Sequence, residues 1–78
     1  MYIEIVSPER KLYSGEISYV ELPGADGSFG ILKNHAPMIS VLAEGKVLLR
    51  KASDEEEEIM IKGGVAEVLK NNIIVLAK

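Results

Sequence analysis

Apolar side chains in this chain return at every second position, not at the three-to-four spacing that lines one face of a helix. Tyr2 to Val6 carries Ile3 and Ile5 on one face. Leu12 to Leu22 is a longer extended run, with Val20 and Leu22 on one face and Ile17, Tyr19 and Glu21 on the other; Gly15 inside it marks a bulge or bend. Phe29 to Leu32 and Met38 to Leu42 read as short strands. In Lys46 to Lys51, Val47 and Leu49 oppose Lys46 and Arg50. Glu58 to Lys62 turns Ile59 and Ile61 inward, and Val65 to Leu69 resumes after Gly63-Gly64. Ile73 to Ala77 is apolar throughout, the pattern of a strand covered on both faces.

Turn chemistry punctuates these runs. Ser7-Pro8-Glu9-Arg10 has Ser and Pro in the order of a type I turn. Ala43-Glu44-Gly45 and Lys70-Asn71-Asn72 close two further pairs, and Ser53 to Glu57 is an acidic loop. Turn signals about every 6 to 12 residues predict an all-β fold, a small flattened β-sandwich or barrel of about eight to ten short strands. Residues 1–78 are too few for more than one domain. A chain this short buries only about 60% of its unfolded surface, so a partner subunit would help it.

Several function classes are excluded early. With no cysteine there are no disulfides and no cysteine-bound zinc or iron–sulfur centre, and one histidine is too few for a histidine-rich metal site. Met1 to Glu4 has no basic flank before an apolar run, so no signal peptide is expected. No apolar stretch approaches the roughly 20 residues that span a bilayer. The expectation is a soluble protein or the soluble part of a complex. The net charge of −3 is local, because Asp54 to Glu58 holds five of the twelve acids. Arg10-Lys11 and Arg50-Lys51 are isolated pairs, which argues against nucleic acid as a partner.

The stretch LPGADGSFGILKNHAP, Leu22 to Pro37, has glycine at Gly24, Gly27 and Gly30. A Walker loop needs Lys and Ser or Thr after its last glycine, where Ile31-Leu32 stands, and a dinucleotide fingerprint needs a different spacing. The structural reading is a rigid protruding turn. Pro23-Gly24 and Asp26-Gly27 are turn dipeptides, and Gly30 admits a close neighbour. Phe29, the only phenylalanine, either points outward as an interface anchor or folds back to plug the sandwich. His35 as a general base would need a nucleophile or orienting carboxylate, and the stretch supplies neither. The acidic run has no glycine to turn a calcium loop and reads as a solvated hairpin tip. Lys33 and Lys70, each in Leu-Lys-Asn, do not match a lipoyl or biotin carrier tip. No catalytic residue, cofactor or metal site is expected.

Four blocks in order, IEIVSPE with SGE, LPGADGSFGILKNHAP, GGVAEV and NNIIVLA, resemble the epsilon subunit of F-type ATP synthase in its N-terminal β-sandwich domain. The resemblance runs from Ile3 to Lys78. It implies a non-catalytic rotor subunit at the foot of the central stalk, peripheral to the cytoplasmic face of the bacterial inner membrane. Its partners would be the gamma subunit and the c-ring, with the membrane reached only through that ring. It places Ala25, Asp26, Ser28 and Phe29 towards the ring, and His35 and Ser40, with Met38 beside them, towards gamma. Where the family commonly has Pro-Gly before the histidine, this chain has Lys33-Asn34. Asn tolerates the left-handed backbone that Gly occupies there. Lys33 adds a charge that suits an acidic ring loop. Many members continue into an inhibitory helical hairpin, in some cases with an ATP site. This sequence stops at Lys78, so neither property is expected of these residues.

Candidates for the gamma-facing side, as outward partners on doubly apolar strands, are Met38, Ser40 and Leu42, or Ile74 and Leu76. The rival reading is a generic small β-barrel binding single-stranded nucleic acid or oligosaccharide. That would need aromatics clustered on a basic groove, and Tyr2, Tyr13, Tyr19 and Phe29 do not alternate along one strand.

Overall fold

The computed structural model covers all residues from Met1 to Lys78. Eight strands and no helix make it up: β1 Tyr2–Val6, β2 Lys11–Gly24, β3 Gly27–Leu32, β4 Met38–Leu42, β5 Gly45–Lys51, β6 Glu56–Ile61, β7 Gly64–Leu69 and β8 Asn72–Ala77. They form one hydrogen-bonded sheet in the order β1-β8-β7-β4-β2-β5-β6, with β3 on β2 and a further β1–β2 pairing. The β1–β2 pairing closes β1, β8, β7, β4 and β2 into a ring. β2 can serve both halves because it is 14 residues long. Its first half pairs β1, and its second half pairs β3 and β5. All pairings are antiparallel except β1 with β8.

Every strand sends side chains into one core. Ile3 and Ile5 of β1, Val20 and Leu22 of β2, Ile31 of β3, Val47 and Leu49 of β5 and Val75 of β8 are fully buried. Ile17, Leu42, Ile61, Ala66, Val68, Ile73 and Ala77 complete the cluster. A sheet whose strands all share one core must fold back on itself, which is the small β-sandwich that the alternation predicts.

The turns follow their residue chemistry. Lys70 and Asn71 both have positive φ, 51° and 63°, as a two-residue type I′ hairpin loop requires. At the other hairpin, Ala25 and Asp26 span β2 to β3 and the positive φ falls on Gly27. Ser7 and Arg10 close the first turn by backbone and side-chain bonds.

Four expectations are corrected. Ile17 lies in the core with Val20 and Leu22, not opposite them, because the β2–β5 register shifts between Ile17 and Tyr19. The extra residue is Ser18, whose hydroxyl donates to the Arg50 carbonyl at 3.2 Å. Gly15 is no bulge: it pairs regularly with Ile3, and the β1–β2 irregularity lies between Ile5 and Val6. The acidic run is not all loop, since β6 begins at Glu56 and pairs Glu56, Glu57 and Glu58 with Arg50, Leu49 and Leu48. β8 is covered on one face only: Ile73, Val75 and Ala77 are buried while Ile74 and Leu76 are exposed.

Candidate interaction surfaces

β4, β7 and β8 each leave an apolar face bare, and the half-buried outer side of β1 continues it. Residues directly opposite on paired strands project to the same side. Ile39 faces Glu67, which faces Ile74, which faces Glu4. Next to that row, Val41 faces Val65, which faces Leu76, which faces Val6. The second row is apolar across four strands, about 14 Å wide at the usual strand spacing. Ile39 is 71% exposed, Val41 63% and Leu76 56%. Large apolar side chains grouped in this way on an outer face mark an interaction site. A shallow hollow of about 360 Å³ runs between Ile39, Val65, Glu67, Ile74 and Leu76.

The side chains of β4 therefore divide differently from the sequence-based expectation. Leu42 is in the core and Met38 packs against it, so Met38, Ser40 and Leu42 line the inner side of the strand. Ile39 and Val41 are its outward residues. Ile74 and Leu76, the alternative candidates, lie on the bare face.

A second surface is the β2–β3 turn. Ala25, Asp26 and Ser28 are exposed at its tip. Phe29 is half-buried and packs against the core, so its ring folds back over Gly24 instead of standing free. A Cβ on Gly24 would lie 2.8 Å from that ring and 2.5 Å from the Gly27 carbonyl oxygen, so only glycine lets the turn close. Gly30 does the same for Tyr19, as its expected close neighbour requires: a Cβ there would lie 2.5 Å from the tyrosine hydroxyl. The Ala25 amide donates to the Val41 carbonyl at 2.9 Å, tying the turn to β4. A groove lined by Ala25, Ser28, Phe29, Ile39, Ser40 and Val41 joins the turn to the apolar face.

Lys33 is not part of that turn. It follows β3, and β3 carries the chain about 17 Å away from Gly27 at strand rise. Lys33 instead shares the far end with His35. The His35 amide donates to the Leu32 carbonyl at 3.2 Å, closing a turn with Asn34 at φ 66°. A type II turn demands positive φ at that position, and Asn supplies it without glycine. Asn34 also meets Asn71 of the β7–β8 turn. Its backbone N–H donates to Asn71 Oδ1 at 2.7 Å, and Asn71 Nδ2 donates to Asn34 Oδ1 at 3.1 Å. His35 Nδ1 is 2.7 Å from the Ala36 carbonyl and touches no carboxylate.

The β5–β6 face is electrostatic. Lys46 pairs with Glu58 at 3.0 Å, Lys51 with Glu57 at 3.2 Å and Arg50 with Glu56 at 3.3 Å. Arg50 and Lys51 also lie over the rings of Tyr19 and Tyr13, at 5.3 and 6.0 Å from their centroids. The hydrogen bond from Lys51 to Glu57, reinforced by that carboxylate's charge, raises the lysine pKa above 10.5. Glu4 raises Lys11 in the same way.

The all-strand domain thus carries an exposed apolar face joined by a groove to the β2–β3 turn. The sequence model described as "ATP synthase, Delta/Epsilon chain, beta-sandwich domain" matches residues 1–78, and the chain belongs to that family. The ATP synthase epsilon chain of Caulobacter vibrioides is 41% identical over all of this chain and 90% of its own length. That of Dichelobacter nodosus is 44% identical over 96% of this chain and 52% of its own, and that of Rhodopseudomonas palustris strain BisB5 41% over 97% and 56%. The chain thus spans about half the length of several curated relatives. The fold recurs in solved assemblies. One chain of the Euglena gracilis mitochondrial ATP synthase superposes with a TM-score of 0.89 at 17% identity, over 96% of this chain and 48% of that one. One of the Tetrahymena thermophila central stalk and c-ring gives 0.82 at 16%, over 99% and 62%.

Proposed function

We propose that this chain is a non-catalytic central-stalk subunit of an F-type ATP synthase, and that it couples rotation of the c-ring to gamma. Ala25, Asp26, Ser28 and Phe29 meet the ring. His35, Met38 and Ser40 lie at the edge of the gamma contact, and the face of Ile39, Val41, Val65, Ile74 and Leu76 supplies its apolar area. Lys33, placed with His35, belongs to the gamma end of the molecule. As a peripheral subunit it reaches the bacterial inner membrane on its cytoplasmic side, through the ring.

The observation that carries this reading is the bare apolar face on β4, β7 and β8, joined by a groove to the β2–β3 turn. Transmission of torque needs a body that does not deform, and a close-packed interior has low compressibility. The chain has no cysteine, so single-cysteine variants report one position each. In an assembled enzyme, a cysteine at Ser28 should cross-link to a c subunit and one at Ile39 to gamma. Cross-links from Ile39 to neither, with Ser28 also silent, would remove the reading.

A further inference from the structure

Glu67 stands in the middle of the apolar face. Ile39 and Ile74 lie directly opposite it on the two neighbouring strands, and Val65 and Leu69 flank it along its own. All five side chains are exposed. Glu67 takes part in none of the ion pairs of the chain, whereas Glu4, the other carboxylate of that row, is held by Lys11 at 3.1 Å. A partner cannot cover Ile39, Ile74, Val65 and Leu69 without covering Glu67 as well. A purely apolar partner would strip water from an unpaired carboxylate, which is far more costly than the apolar contact is favourable.

We infer that the surface docking on this face is apolar with a cationic side chain at its centre, an arginine by preference, set over Glu67. A guanidinium matches a carboxylate in plane and tolerates partial desolvation better than an ammonium. Glu67 then acts as the specificity point of an otherwise non-directional contact: a partner with apolar area alone, or with an acid at that place, is rejected. The inference rests on the gamma-docking reading and names what gamma must present.

The test is calorimetric titration of the full chain with gamma from the same organism, at about 50 mM and about 500 mM salt, using three exposed variants. Val65→Asp tests the face; Glu67→Gln and Glu67→Lys test the cation. The expected result is that Val65→Asp abolishes binding, Glu67→Gln weakens it at least tenfold and flattens its salt dependence, and Glu67→Lys weakens it further. If Val65→Asp abolishes binding while Glu67→Gln binds within tenfold of the parent or more tightly, the cation is wrong and the docking face stands. If Val65→Asp binds like the parent, the face is not the gamma surface and both readings fall. Unchanged far-ultraviolet circular dichroism of each variant separates these results from misfolding.

Discussion

Gly24 and Gly30 each lie beneath an aromatic ring, but what surrounds them differs. A methyl group on Gly24 would meet a backbone oxygen, which cannot move without opening the turn, whereas one on Gly30 would meet the free end of Tyr19. Gly24→Ala should therefore lower stability by about 1–3 kcal/mol, and Gly30→Ala by less. Urea unfolding of the two variants checks the order, and equal effects would contradict the packing described. Asn34 allows a similar separation of causes. Asn34→Gly keeps the left-handed backbone and the backbone N–H bond to Asn71 Oδ1, and loses only the bond from Asn71 Nδ2, so it should cost about 1 kcal/mol or less. Asn34→Ala loses the same side-chain bond and also strains the turn, which adds about 1–2 kcal/mol. The left-handed turn at Asn34 was expected from the resemblance, in which Asn stands at a backbone position that Gly commonly occupies. Its clasp to Asn71 was not, because the partner is 37 residues away and only β-sheet register brings the two loops together.

Among the elements, legibility followed the polarity of alternate positions. β7 reads Val65, Ala66, Glu67, Val68 and Leu69, and β5 sets Lys46 and Arg50 against Val47 and Leu49, so a phase is visible. β8 and most of β4 are apolar in both phases, and such a strand carries no mark of which face is wet. That is why Ile39 and Val41 escaped sequence reasoning while Leu42 was assigned outward. β2 misled for a different reason: the bulge at Ser18 reverses the phase within one strand, and nothing in Ile17-Ser18-Tyr19 announces it. The β5–β6 ion pairs belong to exposed side chains and contribute little. Glu57→Gln should leave stability nearly unchanged, as at other solvent-exposed pairs. It should also return the Lys51 titration, followed by its side-chain Cε resonance, towards 10.5. The sign is that of a raised lysine pKa: the pairing is fully present below the unfolded value and is lost as pH rises through the folded one. A Lys51 titration that ignores Glu57→Gln would remove the pair from the account.

As a whole, the molecule is a body of 27 × 23 × 19 Å in which one core links every strand. The β2–β3 turn and the apolar face are fixed to the same core and to each other through the Ala25–Val41 bond, so movement of one carries the other. The central claim is that the bare face of β4, β7 and β8 is where gamma sits. Methyl resonances of the chain, recorded with and without gamma, test it most directly. The account predicts that Ile39, Val41, Val65, Ile74 and Leu76 shift or broaden on binding. Met60 on β6 and Leu48 on β5, outside that face, should stay where they are. Perturbation of Met60 and Leu48 with the five face residues unmoved would contradict it.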